Sequence, residues 1–378
     1  MTYLDHNATS PLRPEAHAAM EHALAIGGNP SSVHGAGRAA HGIIERAREQ
    51  VAALVGARPR DVIFTSGGTE ANALALRGAV HGAAEAGARI TRLFVSAIEH
   101  DSVLANAAAV AERVPGVRLE TIPVRHDGSV DVSALRVLLR EGKGRALVVV
   151  MVANNETGVV QPLTEIRASL QEHEGYLFVD AVQAAGKIAF DAAQADYMSL
   201  SAHKIGGPQG VGALIVREGA PLAATLLGGG QERGQRAGTE NVAGIAGFGA
   251  AAGVAKPMPS TLRDSFERGL TSLAPDAVIF GAGTTRLSNT SNFALPGIAA
   301  ETAVMALDLD GVMVSSGSAC SSGKVKPSHV LRAMGVSEAL AGCALRVSFG
   351  WNSSEADVAA VLNSISHLRS RVKARAAA

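Results

Sequence analysis

The chain has 378 residues, with 34 Lys and Arg against 34 Asp and Glu, so its formal net charge is zero. This balance argues against nucleic acid as a partner, because phosphate contacts require clustered excess Lys and Arg. Hydrophobic residues make up 47% of the chain, which excludes extensive disorder and supplies enough apolar surface for large cores.

The predicted elements begin with an amphipathic helix over residues 42–55, in which Ile43, Ala47 and Val51 recur on one face. Short apolar runs follow and are predicted as strands at 61–64, 92–95, 146–153, 176–179, 197–200 and 211–216. Because helical and strand patterns alternate, the sequence predicts an α/β fold with a mostly parallel sheet.

The sequence pattern changes at residues 256–259, where two prolines indicate a domain boundary. Helices are predicted beyond it at 262–273, 301–309 and 355–371, and strands at 278–280, 291–295, 312–314 and 344–349. This mixture predicts a smaller α+β domain.

Targeting and metal signals are absent from the sequence. The first ten residues contain Asp5 and no apolar stretch typical of a secretory signal, and the longest apolar run is too short to span a bilayer. Two cysteines, Cys320 and Cys343, cannot form a disulfide framework or a Cys-rich zinc site. We therefore expect a cytoplasmic protein with neither a membrane partner nor a metal.

Five of the predicted strands end in polar or Gly-rich segments. In open α/β sheets, ligands bind outside the carboxyl ends of the strands, so these segments are expected to converge on one site. The residues expected there are His100, Asn155, Asp180, Gln183, His203 and Lys204.

The chemistry of this site is indicated by a phosphate signal and a lysine. Gly67, Gly68 and Thr69 follow a strand and open a helix, which offers backbone N–H groups to an anion. No P-loop and no dinucleotide fingerprint follows a strand. Lys204 is one of only seven lysines, and a strand-end lysine beside a phosphate site and Asp180 is typical of pyridoxal phosphate (PLP) enzymes.

The sequence resembles the NifS/IscS-type cysteine desulfurases within the class V aminotransferase group of fold-type I PLP enzymes. The matching segments run through the chain in the family's order: YLDHNAT (3–9), GNPSSVH (28–34), FTSGGTE (64–70), EH (99–100), NNETG (154–158), VDAVQ (179–183), SAHK (201–204), GGGQERGQRAGT (228–239) and SGSAC (316–320). The resemblance implies a large PLP-binding domain at 14–255 with a mostly parallel seven-stranded sheet. It also implies a small domain made of 1–13 and 256–378, which carries a catalytic-cysteine loop at 315–323.

The resemblance also implies residue roles. Lys204 would form the Schiff base with PLP, His100 would stack on the ring and move protons, Asp180 would pair with the ring nitrogen, and Gln183 would donate to the phenolic oxygen. The phosphate would be held by Gly68, Thr69, Ser201 and His203, with Thr239 from the second subunit of a homodimer. Asn155, itself among the cofactor-binding residues, and Arg346 would bind the substrate carboxylate.

Cys320 distinguishes the activities that remain open. The resemblance implies that it takes sulfur from L-cysteine as a persulfide, leaves L-alanine, and passes the sulfur to an acceptor such as an iron–sulfur scaffold protein. The alternatives are a PLP-dependent aminotransferase or selenocysteine lyase of the same superfamily, and a non-catalytic sulfur-transfer module. The second cysteine, Cys343, is expected to be a buried structural residue.

Overall fold

The structure, a computed structural model, describes residues 1–189, 191–316 and 328–377. Its centre is a seven-stranded sheet in the order β2-β8-β7-β6-β5-β3-β4. The strands are β2 Val62–Thr65, β3 Ile90–Ser96, β4 Arg118–Ile122, β5 Arg145–Met151, β6 Gly175–Asp180, β7 Tyr197–Ser201 and β8 Gly212–Val216. All are parallel except β8, which runs antiparallel to both of its neighbours. The predicted α/β class and mostly parallel sheet are confirmed.

Helices cover both faces of this sheet, and the strand sequences show why. In β5 the side chains of Val148 and Val150 enter one core while those of Leu147 and Val149 enter the other, since successive strand residues point to opposite faces. The helices of this part are α1 Pro14–Ile26, α2 Gly35–Leu54, α3 Gly68–Glu85, α4 Asp101–Arg113, α5 Val132–Arg140, α6 Leu163–Gln171 and α7 Val242–Val254.

The C-terminal part contains a three-stranded antiparallel sheet and a two-stranded parallel sheet. Its elements are α8 Thr261–Leu273, β9 Val278–Ile279, β10 Thr290–Ala294, α9 Ala300–Leu309, β11 Val312–Met313, α10 His329–Ala333, α11 Glu338–Ala341, β12 Ala344–Ser348 and α12 Glu355–Ala377. The first strand of the chain, β1 Thr2–Tyr3, pairs with β11.

The start of the chain is thereby built into the C-terminal core. Leu4 is fully buried in the same hydrophobic cluster as Phe266, Phe293 and Phe349. Beyond β1, the backbone N–H of Asn7 donates to Ser348 Oγ at 3.0 Å. Residues 5–9 are consequently carried to the carboxyl end of the large sheet, where Lys204 lies.

Candidate active site

A cavity of about 550 Å³ opens at the carboxyl ends of the parallel strands. The sequence-predicted residues in its lining are Gly68, Thr69, His100, Asn155, Asp180, Gln183, Ser201, His203, Lys204 and Arg346. The structure thus brings together ten of the predicted site residues, as expected for strands that end at the same sheet edge. The lining also includes Asp5, Asn7 and Asn72, which the sequence did not single out.

One end of the cavity has the features of a phosphate site. Helix α3 begins at Gly68, and a Cβ at that position would lie 2.9 Å from Val182 Cγ2. The Ser201 hydroxyl oxygen is buried without a hydrogen-bond partner. An unpartnered buried hydroxyl beside a glycine at a helix N-terminus fits a bound phosphate oxygen.

His203 lies at the same end as a neutral imidazole. Its Nδ1 is 3.2 Å from Thr9 Oγ1. Burial, reinforced by the nearby charges of Lys204 and Lys187, lowers the pKa of His203 to about 4. A neutral imidazole offers one N–H donor without adding a charge.

Lys204 follows β7 in a short 3₁₀ turn, Ala202–Lys204. Its Nζ donates to the backbone oxygens of Asn7 at 2.8 Å and Ala8 at 2.7 Å. Burial lowers the pKa of Lys204 to about 8, and the charge of Arg346 contributes, while Asp5 and Asp180 oppose the shift. A substantial fraction of the amine is therefore unprotonated near neutral pH, as a nucleophile requires.

Asp180 ends β6 and is held by two donors. Its Oδ2 accepts from Asn72 Nδ2 at 2.9 Å, and its Oδ1 accepts from the backbone N–H of Val182 at 2.9 Å. Burial and the adjacent Asp180 raise the pKa of Glu99 well above its usual value. Of these two neighbouring carboxyl groups, Asp180 lines the cavity and Glu99 does not.

Gln183 and Asn7 form a connected pair of amides. Gln183 Nε2 donates to the backbone oxygen of Asn7 at 2.8 Å, the same oxygen that accepts from Lys204. The Asn7 side chain donates through Nδ2 to Asn155 O and to Thr290 Oγ1. The N-terminal segment thus forms one wall of the site and fixes the lysine's resting position.

Arg346 and Asn155 line the cavity in contact with each other. Arg346 Nη1 donates to Asn155 O at 3.0 Å and Nη2 donates to Asp5 Oδ1 at 2.6 Å, while its buried Nε has no partner. The backbone of Arg346 pairs with Ser315 through two hydrogen bonds. This guanidinium is therefore next to the segment that leads toward Cys320.

His100 lines the cavity as the N-cap of α4, where its Nδ1 accepts from the backbone N–H of Ser102 at 3.1 Å. Cys320 itself lies outside the described residues, as does most of the predicted loop at 315–323. Ser315 and Ser316, at the start of that loop, line the cavity. Cys343, expected to be buried, is only partly buried, and its Sγ donates to Ala339 O at 3.4 Å.

Thr239 is not brought into this cavity. It is exposed, in a segment that begins at Gly228 and leads into α7. The segment contains two left-handed non-glycine residues, Glu232 (φ 46°) and Arg233 (φ 57°). Arg48 holds Glu232 by a buried two-point ion pair at 2.7 and 3.0 Å, and Arg233 Nη2 donates to Val62 O at 2.6 Å.

This segment is also tied to the phosphate end of the cavity. Arg236 donates through Nε and Nη2 to both carboxylate oxygens of Glu70, the residue after Thr69. Arg236, three residues before Thr239, therefore joins this segment to the phosphate end of the cavity.

The described part of the chain contains no group of three or more His, Cys, Asp or Glu side chains placed to hold a metal ion. Nor does any helix within it combine the length and apolar character needed to cross a bilayer.

The donor set fits PLP. An unpartnered Ser201 hydroxyl and a glycine cradle suit the phosphate, Asp180 suits a protonated ring nitrogen, and Lys204 is a partly deprotonated amine between them. These groups face one cavity in one chain.

The sequence is similar to known proteins whose family fits this geometry. Residues 2–361 match the family described as Aminotransferase class-V. A cysteine desulfurase of Cereibacter sphaeroides is 45% identical over 365 residues, which cover 94% of this chain and 92% of the relative. An IscS-like cysteine desulfurase of Mycobacterium tuberculosis is 40% identical over 372 residues, which cover 96% of this chain and 94% of the relative.

Solved structures give the same result. A NifS-like protein from Rickettsia africae has a TM-score of 0.87 at 33% identity, covering 98% of this chain and 99% of that chain. The structure described as SspA in complex with cysteine has a TM-score of 0.81 at 29% identity, covering 92% and 99%. The chain belongs to the class-V aminotransferase family and, within it, to the cysteine desulfurases.

Proposed function

We propose that this chain is a PLP-dependent cysteine desulfurase that uses Cys320 as its sulfur carrier. The C–S bond of L-cysteine breaks, a proton replaces sulfur to give L-alanine, and the sulfur becomes a persulfide on the Cys320 thiol. No external oxidant or reductant is consumed, because the thiol and the substrate together supply all the atoms and electrons of alanine and the persulfide.

The observation that carries the proposal is the Lys204 amine, which lies in one cavity with Asp180 and the buried Ser201 hydroxyl. Bound PLP would supply an electron sink for the substrate carbanion. Gly68, Thr69, Ser201 and His203 would hold its phosphate, Gln183 would donate to its phenolic oxygen, and Asp180 would keep its ring nitrogen protonated. Asn72 supports this role of Asp180, because it fixes the carboxylate by a 2.9 Å hydrogen bond.

The substrate would bind through its carboxylate at Arg346 and Asn155. A guanidinium matches a carboxylate with two parallel N–H donors, and the buried Nε of Arg346 lacks an acceptor. A carboxylate that binds there would exchange with Asp5 for Nη2. The substrate therefore supplies a partner for Nε and displaces an existing ion pair at the same guanidinium.

Proton movement would be divided between Lys204 and His100. Lys204 has a pKa of about 8, so it can accept a proton from the substrate Cα and return one to the product near neutral pH. His100 lines the same cavity and would accept the proton of the Cys320 thiol, because only the thiolate attacks sulfur.

The protein's organisation and partners are part of the same proposal. The division into a large domain (14–255) and a small domain (1–13 plus 256–378) is supported by the separate hydrophobic cluster that joins Leu4 to residues 266–368. We expect a cytoplasmic homodimer in which Thr239 completes the partner's phosphate site. An iron–sulfur scaffold or another thio-cofactor protein would accept the sulfur.

Alanine and sulfide formation from L-cysteine, measured with and without PLP, tests the activity. Cys320→Ala should keep PLP and lose persulfide formation and physiological turnover, whereas the matched control Cys343→Ala should behave as the wild type. Wild-type alanine formation by Cys320→Ala would show that sulfur leaves without a covalent carrier. Amino-group transfer to a keto acid without sulfur release would instead identify an aminotransferase.

A further inference from the structure

Lys187 is a second lysine near the site, and the mechanism above does not use it. It is partly buried and lines a separate cavity of about 50 Å³ rather than the large one. Its Nζ donates to Gln183 Oε1 at 2.8 Å and to Asn7 Oδ1 at 2.9 Å. Both acceptors belong to amides that line the large cavity.

The surroundings of Lys187 favour an uncharged amine. Burial lowers the pKa of Lys187 well below its usual value, and the charges of Lys204 and Arg346 add to the effect. No Asp or Glu is among the groups that shift it, within the part of the chain that the structure describes. A neutral amine has two N–H donors, and Lys187 has two amide oxygens to receive them.

The hydrogen bond from Lys187 to Gln183 determines on which side of the Gln183 amide the oxygen lies and on which side the nitrogen lies. Oε1 accepts from Lys187, so Nε2 is on the other side, where it donates to Asn7 O. An amide nitrogen carries two hydrogens, and Asn7 O accepts one of them. The second hydrogen of Nε2 can be donated to a group bound in the cavity. If the amide turned over, Gln183 would present an acceptor there instead of a donor.

Asn7 depends less on Lys187. Its Oδ1 also accepts from Asn289 Nδ2 at 3.1 Å, and both of its Nδ2 hydrogens are donated to Asn155 O and Thr290 Oγ1. The orientation of Gln183 therefore has fewer independent supports than that of Asn7.

We propose that Lys187 is a positioning residue: its hydrogen bond to Oε1 orients the Gln183 amide so that nitrogen, not oxygen, faces the cofactor's phenolic oxygen. The inference rests on the proposed function, because it assigns Lys187 a role toward bound PLP. Lys187 acts only through Gln183 and contacts neither cofactor nor substrate.

The test is a pH titration of the absorbance of the PLP-loaded protein. Lys187→Met keeps the length of the side chain and removes the donors. The apparent pKa of the chromophore should rise by about half a unit to one unit, the size expected for one lost hydrogen bond to an anion. Gln183→Ala should produce a similar rise, and Lys256→Met, which changes an exposed lysine that lines the same small cavity, should produce none.

The double variant decides whether Lys187 acts through Gln183. In the Gln183→Ala background, Lys187→Met should cause no further rise, whereas a direct charge effect on the chromophore would add in full. Additivity, or an unchanged titration in Lys187→Met, overturns the inference. Lys187→Leu, which also lacks a donor, replaces the Met variant should that one fail to fold.

Two further measurements, the Tm of the apo-protein and PLP binding by the wild type, show which hypothesis a negative result contradicts. A purely structural Lys187 would lower the Tm of the apo-protein when changed to Met and leave the chromophore titration unchanged. A wild-type protein that binds no PLP would contradict the proposed function itself, whereas a PLP-loaded wild type with an unresponsive Lys187→Met contradicts only this inference.

Discussion

Arg346 and Asp5 form an ion pair of 2.6 Å between Nη2 and Oδ1, in the lining of the cavity. The arginine side chain is 6% exposed and the aspartate 22% exposed. The guanidinium proposed to bind the substrate carboxylate is thus already paired with a carboxylate of the same chain. Under that proposal, substrate binding would exchange one carboxylate for another, and Asp5 would weaken it.

Changing Asp5 to Asn should strengthen cysteine binding. The neutral amide competes less well for Nη2, so KM for cysteine should fall by about threefold to tenfold, equivalent to about 1 kcal/mol. Steady-state kinetics checks this, with Asp308→Asn, which changes an exposed carboxylate outside the cavity lining, as the control. A raised KM would show that Asp5 helps to place Arg346 and does not compete for it.

Changing Arg346 to Lys should weaken binding. Lysine retains the charge but loses the planar pair of donors, so KM should rise by about tenfold to a hundredfold. The bound chromophore should be retained, because the side-chain hydrogen bonds of Arg346 go to Asn155 and Asp5 and not to the phosphate features. Loss of PLP from Arg346→Lys would contradict its assignment to the substrate.

Lys204 should be the residue that borohydride links to PLP. Lys204 lines the large cavity as well as the small one, whereas Lys187 and Lys256 line the small one and are not part of the large cavity's lining. Peptide mapping of the reduced protein should find the label on Lys204 alone. A label on Lys187 would contradict the site as assigned.

The rate at which apo-protein combines with PLP should depend on pH with a midpoint at about 8. Only the unprotonated amine reacts, and burial lowers the pKa of Lys204, so the rate rises as pH increases through that value. Stopped-flow absorbance measures it. In Asp5→Asn the midpoint should move lower, because Asp5 raises this pKa; a midpoint near 10.5 would show an ordinary solvated lysine.

Asp180→Asn should retain PLP and lose turnover by orders of magnitude, because the amide cannot hold the ring nitrogen protonated. Asn72→Ala should lower turnover by about tenfold, since one hydrogen bond to a charged group contributes about 1.5 kcal/mol. Absorbance spectra and single-turnover rates measure both. Near-normal turnover in Asp180→Asn would place the ring's partner elsewhere.

Thr239 should act across a dimer. Thr239→Ala should weaken PLP retention, and so the activity of that protein alone should be low at limiting PLP. Subunit exchange with Lys204→Ala protein produces mixed dimers with two sites each, of which one carries both changes and the other carries neither. The site that carries neither change should restore activity. If a mixture whose exchange is confirmed by mass spectrometry stays inactive, the sites are built within one chain.

The sequence predicted the strand-end residues well because hydrophobic runs and polar ends are local patterns. Asp180 ends one apolar strand and Lys204 lies three residues beyond another, and the parallel sheet brings them to one edge. Asn7, Asp5 and Asn72 were not found. Asn7 reaches the site only through pairing with residues 341 positions away, which no local pattern encodes.

Helix α7 was not predicted from the sequence, for a different reason. Its sequence is almost entirely Ala, Gly, Val, Ile and Phe, and most of it is buried, so it shows no polar face with a helical period. Gly residues also lower helix propensity. Its packing against α1 and α2, a tertiary effect, overrides that propensity.

The order of synthesis also bears on when the site can form. The two backbone oxygens that receive Lys204 belong to Asn7 and Ala8, which are made long before the lysine itself. Their positions depend on the pairing of β1 with β11 and on the hydrogen bond to Ser348, and both of these partners are made after Lys204. A nascent chain that has completed all seven strands of the large sheet therefore still lacks the wall that holds its reactive amine. Such long-range closure is slow to form, so the cofactor site can be finished only after synthesis has passed Ser348.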